Sequence, residues 1–306
     1  MDEGQERFER ITSCPACGGI RFRPHKKATF DVSELRAESV RITDSHYGRV
    51  WNLALCEDCG HIFADPCPTP AFINALYGAL EDPLYDEESG GREKNFLKVI
   101  KTLEKLRPEK GRLLDVGAAT GILMNLAARR GWETDGVEPS SWAVAYARKK
   151  YGLRIHESVI ETAPLEAASF DVVTMVDFIE HTARPCDALR KAAEVLRPGG
   201  LLCVVTPDIR SAAARIARGK WWHLRPAHLA YFSRGSLDAL FSRTGFSVVR
   251  RKSYSWTFSA HYLASRLMIS RFLARSGRQA SFLKGIPIKL ALGDSFEIYA
   301  RKEEGT

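Results

Sequence analysis

The chain has 306 residues, 45% hydrophobic and 27% charged, which is ordinary globular composition and enough to bury a sizeable core. No apolar run approaches the roughly 18 residues of a membrane span. The stretch from Met1 to Arg10 is polar and acidic rather than signal-like, so the cytosol is the expected location. The net charge is +8 and unevenly spread. No acid stands between Asp238 and Asp294, while ten basic residues do: Arg243, Arg250, Arg251, Lys252, Arg266, Arg271, Arg275, Arg278, Lys284 and Lys289. Such a field suits an anionic partner or an acidic membrane surface, unless it is simply a solvated face.

Four of the seven cysteines fall in matched pairs, Cys14-Pro15-Ala16-Cys17-Gly18 and Cys56-Glu57-Asp58-Cys59-Gly60. Two residues between thiols let one tight turn aim both sulfurs at a single tetrahedral ion. The glycine that follows accepts a turn conformation other residues resist. In a reducing compartment the pattern points to one structural zinc held by Cys14, Cys17, Cys56 and Cys59, not to disulfides. His61 is a spare donor, and Cys203 reads as a small core residue in an apolar strand. Strand-like pieces such as Arg49 to Leu55 suggest a ribbon of short hairpins over residues 1–85, too small to fold without its metal.

A short helix is expected from Ala71 to Tyr77. Glu81 to Gly91 is acidic, carries Pro83 and ends in two glycines, so it reads as a linker. Phe96, Leu97, Ile100, Leu103 and Leu106 then recur at helical spacing up to Pro108. From Arg112 onward apolar strands and amphipathic helices alternate. Strands are expected at 113–116, 134–137, 170–176, 201–206, 246–250 and 295–300. Helices are expected at 122–129, 142–150 (capped by Ser140 or Ser141), 186–196 and 236–243. Pro198-Gly199-Gly200 reads as the end of the helix over 186–196. This alternation predicts an α/β fold, an open and mostly parallel sheet with helices on both faces over residues 86–306. A long irregular insertion at about 254–292 precedes the last strand.

Asp115-Val116-Gly117-Ala118-Ala119-Thr120-Gly121 sits between the first strand of this region and its helix, where glycines let backbone approach a ligand. Glu138 follows at the tip of the second strand, placed to accept two hydrogen bonds from a ribose diol. An acid two residues before the first glycine resembles the class I methyltransferases, whose motif alternates acid, Gly, Gly and Gly with single residues between. Ala119 stands where the middle glycine is expected. Ser169-Phe170-Asp171-Val172-Val173, Asp177-Phe178-Ile179-Glu180-His181 and Leu196-Arg197-Pro198-Gly199-Gly200 resemble later segments of the same superfamily. With the ribbon included, the chain resembles bacterial zinc-ribbon methyltransferases, among them the sugar C-methyltransferases. The resemblance implies a Rossmann-like sheet of seven strands and S-adenosylmethionine as cofactor. It implies a cofactor set of Asp115, Gly117, Ala119, Gly121, Glu138, Val159, Ile160 and Asp177, with Val159 and Ile160 meeting adenine through backbone.

Methyl transfer to oxygen or carbon also needs a group that removes a proton. His228 is the first candidate, in an aromatic segment with Trp221, Trp222, His223, Tyr231 and Phe232 that reads either as a pocket lid or as a packed satellite core. His181 and Tyr231 are further candidates. Asp177, Glu180 and His181 resemble the Glu-x-x-Glu-His of ubiquinone-pathway O-methyltransferases, which binds a divalent ion there; the plainer reading is a helix anchor. Tyr77 and Tyr85 could close over the cofactor. The expected acceptor is a small anionic molecule, such as a sugar nucleotide or a lipid-linked intermediate, with peripheral membrane contact through 254–292. RNA is the alternative acceptor, although ribbon-bearing rRNA methyltransferases space their metal ligands more closely than Cys17 and Cys56. A degenerate, non-enzymatic binding protein is the third reading, with Ala119 its only hint.

Overall fold

A computed structural model describes residues 7–41, 43, 47–82, 85, 88–266, 283 and 285–303. In the insertion Leu267, Met268, Phe272 and Leu273 recur near helical spacing with Arg271 and Arg275 interleaved, the pattern of an amphipathic basic helix; all six lie outside the described residues, as do Arg278 and Lys284.

The first part of the chain pairs β1 (Phe8–Glu9) with β5 (Cys67–Pro68) and builds an antiparallel sheet from β2 (Phe22–Lys26), β3 (Leu53–Cys56) and β4 (Ile62–Ala64). A fourth strand comes from far along the chain. β11 (Ala230–Tyr231) pairs with β4, Ala230 opposite Phe63 and Tyr231 opposite Ile62. The helix α1 (Pro70–Gly78) follows, its first turn capped by the Thr69 hydroxyl, which accepts from the Phe72 N–H, and started by Pro70.

The end of the expected linker is the start of a helix. α2 (Ser89–Leu106) takes in Gly90 and Gly91. A Cβ on Gly91 would lie 2.7 Å from the Thr257 carbonyl, so this glycine permits close packing rather than flexibility. Asn95 completes the contact, donating to the Thr257 carbonyl at 3.0 Å and accepting from its N–H at 2.8 Å.

Beyond α2 the alternation is regular: β6 (Arg112–Val116), α3 (Ile122–Ala128), β7 (Glu133–Glu138), α4 (Ser141–Tyr151), β8 (Ile155–Glu157), β9 (Phe170–Val176), α5 (Pro185–Val195) and β10 (Leu196–Pro207). After them come α6 (Ala212–Ala217), α7 (Arg234–Arg243), β12 (Phe246–Ser253) and β15 (Ser295–Lys302). Ser140 is the cap of α4, accepting from the Ala143 N–H at 3.1 Å. Pro198-Gly199-Gly200 does not end a helix. The chain enters β10 directly after Val195 and crosses these residues as an irregularity between Leu196 and Leu201, with Gly199 at φ 72°. The insertion is not wholly irregular either, since β13 (Trp256–Ser259) and β14 (Pro287–Leu290) form a hairpin at its base, with the short α8 (Ala260–Arg266) between them.

Seven strands form the central sheet in the order β12-β15-β10-β9-β6-β7-β8. Only β15 runs against its neighbours. The chain steps outward from β6 through β7 to β8, then resumes at β9 on the other side of β6. That reversal opens a crevice beyond the carboxyl ends of β6 and β9. One apolar core runs from the sheet (Leu114, Val173, Val204, Ile298) through Leu237, Leu240 and Phe241 of α7 to Cys14, Cys56 and Phe63 of the ribbon. Among the described residues, no helix is long and apolar enough to cross a membrane.

Candidate active site and metal centre

The two knuckles bring their sulfurs together. Cys14 Sγ lies 3.7 Å from Cys59 Sγ, and Cys17 Sγ 3.6 Å from Cys56 Sγ, with all four ligand atoms within 4.8 Å of one another. Tetrahedral zinc with Zn–S bonds of about 2.3 Å separates its sulfurs by roughly 3.8 Å. The cluster is therefore compatible with a structural zinc. Gly18 and Gly60 take φ of 79° and 74°, the left-handed turn each knuckle needs. His61 is not a fifth ligand in the cluster; it is buried between the rings of Phe63 and Phe232.

The second site is a cavity of about 400 Å³ at the switch point. Gly117, Ala119, Glu138, Val159, Ile160 and Asp177 line it. The Glu138 carboxylate accepts from the Ala119 N–H and from the Ser140 N–H, both at 2.9 Å, which fixes the glycine loop against the tip of β7. Ala119 sits at φ 45°, in the left-handed region that the expected glycine would enter without strain. Gly121 is turned away from the cavity. A Cβ there would lie 2.5 Å from Leu153 Cδ1, so Gly121 serves the packing of α3 on its neighbours.

Asp115 lies in a smaller annex of about 40 Å³ beside the cavity, with Gly117, Ala119, Asp177, Arg92 and Trp256. Burial pushes its carboxyl up to about 7, against a 2.6 Å hydrogen bond from the Thr174 hydroxyl. Asp177, at φ 51° just past β9, is likewise pushed up to about 7 by burial, against Arg92 and Arg225. Glu138 is raised by burial against its two backbone donors. Two buried carboxylates and the half-buried Asp177 thus line the cavity and its annex, each raised by desolvation.

On the opposite wall Tyr77 and His181 meet, Tyr77 Oη 2.8 Å from His181 Nδ1, and both line the cavity. Burial pushes His181 down to about 3, helped by Arg225. His228 does not line the cavity; its ring stands edge-on behind His181 at 4.7 Å between centroids. It is held well below the usual histidine value by burial and then by His181. His223 stacks on His228 at 6.0 Å between centroids, its Nε2 3.3 Å from Asp294 Oδ2. The aromatic segment is not a lid. Trp221, Tyr231, Leu224 and Leu229 are buried with Trp51, Leu53 and Ile62 of the ribbon, so a large apolar surface is covered rather than displayed. Tyr231 belongs to β11, is buried in this packing and does not line the cavity. Glu180 anchors that strand, its carbonyl accepting from the Leu229 N–H at 2.8 Å and the Ala230 N–H at 3.1 Å. No helix starts at Glu180; α5 begins at Pro185. Ligand atoms of Glu180, His181 and His228 nevertheless lie within 4.8 Å of one another.

Residues 90–251 match a family described as a methyltransferase domain. The chain is 31% identical over 172 residues to a ubiquinone biosynthesis O-methyltransferase of Cereibacter sphaeroides, covering 50% of this chain and 70% of that protein. The chain belongs to the methyltransferase-domain family. A ubiquinone biosynthesis O-methyltransferase of Xanthomonas axonopodis is 33% identical over 119 residues, and there the methyltransferase studied here spans only 50% of its relative, using 37% of its own length. A magnesium protoporphyrin IX methyltransferase from Synechocystis is similar over 73% of this chain and 89% of its own, with a TM-score of 0.49 and 14% identity. A possible histamine N-methyltransferase from Thermotoga maritima covers 70% and 91%, with a TM-score of 0.47 and 23% identity. The cofactor of this methyltransferase is S-adenosylmethionine, and the switch-point crevice is where its fold opens for one.

Several cavity residues escaped sequence reasoning. Trp142, in the first turn of α4, lines the cavity and had been read only as a helix residue. Arg92 lies in the annex with its guanidinium carbon 3.6 Å from the Tyr85 ring centroid, one residue past what reads from sequence as a linker. An arginine beside paired glycines just ahead of a helical repeat was the available signal.

Proposed function

We propose that this methyltransferase transfers the methyl group of S-adenosylmethionine to a hydroxyl of a small anionic acceptor, with Tyr77 and His181 taking the proton. The observation that carries this reading is the 2.8 Å contact between Tyr77 Oη and His181 Nδ1 at the cavity wall. A neutral imidazole there can accept the tyrosine proton as the tyrosine oxygen takes one from the acceptor. His228, the first candidate from sequence, becomes a supporting group behind His181, and Tyr231 a packing residue. Glu138 would hold the ribose, Val159 and Ile160 the adenine. Asp115 and Asp177 would face the cationic amino-acid end of the cofactor, and Arg92 its carboxylate. Cys14, Cys17, Cys56 and Cys59 would hold zinc, which ties the two knuckles into one unit.

The relatives' names support an oxygen acceptor. The acid-free interval before Asp294 supports an anionic one, or a peripheral contact with an acidic membrane surface, where each cation adds about 1 kcal/mol. The test is to supply methyl-labelled cofactor with three acceptor sets: sugar nucleotides, polyprenylated phenols and total RNA. Label in the sugar nucleotides supports the reading; label in the neutral phenols alone keeps the oxygen acceptor and overturns its anionic character, and label in RNA alone overturns both. Sedimentation with anionic and neutral vesicles tests the membrane contact, which predicts salt-reversible pelleting with anionic vesicles only.

The Glu180–His181–His228 cluster favours a second reading. A divalent ion held there would polarise the acceptor oxygen directly. Turnover abolished by a chelator and restored by magnesium or zinc would select it.

A further inference from the structure

We propose that Arg243 and Arg210, two side chains from the methyltransferase part of the chain, are the charge-balancing outer partners of the four-thiolate centre. Four thiolates around one divalent ion carry a net charge of −2, and a low-dielectric neighbourhood penalises it unless cations or N–H donors stand close. The ribbon supplies backbone N–H donors, among them Gly19 N–H to Cys17 Sγ at 3.4 Å, but its arginines Arg21 and Arg23 are already paired with Asp58 and Glu57.

The helix α7 and the segment before it supply one cation per knuckle. Arg243, the last residue of α7, lays its guanidinium on the first knuckle. A Cβ on Gly18 would lie 3.1 Å from Arg243 Cζ, and Arg243 Nη1 is 3.5 Å from the Cys14 carbonyl oxygen. Arg210, beyond the end of β10, does the same at the second. A Cβ on Gly60 would lie 2.9 Å from Arg210 Nη2, and the side chain shares a shallow groove with Cys56 and Cys59. Between them α7 itself approaches, with Gly235 close to the Cys59 carbonyl: a Cβ there would lie 3.5 Å from it. Each knuckle glycine therefore does two things. It permits the left-handed turn, and by lacking a side chain it admits an arginine from the other half of the chain.

The inference rests on the four thiols holding zinc, so zinc content of the wild-type protein is measured first. About one zinc per chain is expected, and none would overturn both readings. Zinc transfer to a chromogenic chelator is then followed for Arg243→Gln, Arg210→Gln and Arg243→Lys, with Arg234→Gln on the same helix as control. Removing an outer partner of a metal site typically costs about 10–100-fold in affinity. Both arginines are exposed and partly screened by water, so roughly tenfold weaker retention is expected for each Gln variant. Arg243→Lys should keep most of the retention, and Arg234→Gln all of it. In the cobalt-substituted protein, loss of a nearby cation raises the sulfur electrons in energy. The thiolate-to-cobalt charge-transfer band should then move to longer wavelength in the Gln variants, an effect that lost packing alone would not produce. Unchanged retention and an unmoved band in folded Arg243→Gln and Arg210→Gln would overturn the proposal. Should Arg243→Gln fail to fold, Arg210→Gln on its loop carries the same test.

Discussion

The cavity and its annex bury ionisable groups of both kinds, and the same physical agent acts on all of them. Asp115, Glu138 and Asp177 form an acid wall, and His181, with His228, His223 and the buried Glu180 packed about it, a histidine wall. Burial is the largest cause of every shift. It raises the acids and lowers the histidines, so both walls drift toward neutrality. A cationic ligand then breaks the symmetry. It would return charge to the carboxylates, while the histidines stay neutral; the burial that leaves their lone pairs free also makes them weaker bases. Desolvation alone thus sets the charge state of both sides, without a separate device for each.

The largest test of this division is on the histidine wall. His181→Ala should depress turnover by roughly 10²–10⁴ while leaving cofactor affinity close to wild type, and Tyr77→Phe should follow the same pattern. Equal losses in turnover and cofactor affinity, measured by kinetics and calorimetry, would erase the distinction between the walls. His228→Ala sharpens it: a smaller loss than His181→Ala places the proton at the cavity wall, a larger one moves it a layer deeper.

On the acid wall, Glu138→Ala should weaken S-adenosylmethionine by about 1.5–3 kcal/mol in calorimetry, the range for hydrogen bonds to charged groups. Part of that loss reflects the Ala119 and Ser140 N–H groups left without their acceptor. Glu138→Gln keeps the shape and one acceptor oxygen and should lose less.

A smaller effect separates the walls by pH. Asp115 and Asp177 sit near 7 in the folded protein, ionised above and protonated below. A cation prefers the ionised form, so cofactor affinity is full at about pH 8 and falls as pH drops through 7. The fall can reach about tenfold per pH unit for each group. S-adenosylhomocysteine, whose sulfur is neutral, should show a flatter profile over the same range. His181, already neutral across that window, contributes no slope. Parallel profiles for the two ligands would remove the carboxylates from sulfonium recognition.

The smallest expected effect concerns Ala119, which holds φ 45°. A left-handed alanine costs about 1–2 kcal/mol, and glycine returns up to about 1 of that as unfolded-state entropy. Ala119→Gly should therefore raise the melting temperature by only a few degrees and leave the cofactor contacts in place.

Much of this was legible because it is local. The alternation after Arg112, the acid–glycine loop and Glu138 at its strand tip each lie within one strand–helix unit, so spacing alone places them. The knuckles were legible because two short turns repeat. Tyr77 and His181 were not readable as a pair, since they meet across 104 residues of chain. The segment with Trp221 and Tyr231 misled for a physical reason. Aromatic residues on a connection suggest a cover for a ligand, and here their partners are Trp51 and Ile62, contributed by the ribbon. β11 is two residues long, too short for any periodicity to show. Gly90 and Gly91 resemble a flexible joint because sequence does not show the Thr257 backbone pressed against Gly91.

The pairing of β11 with β4 has a consequence for any shortened form of the chain. A fragment beginning near residue 86 keeps every strand of the central sheet, yet it carries a strand with no neighbour and the apolar residues Leu224, Leu229 and Tyr231 with no cover. Open strand edges beside apolar surface recruit other chains. Such a fragment should form particles in light scattering where the full chain does not. A ribbon produced alone would lack one strand of its sheet in the same way. The two parts interlock like halves of a clasp, and exchanging the ribbon between relatives would succeed only if the segment around Ala230 travelled with it.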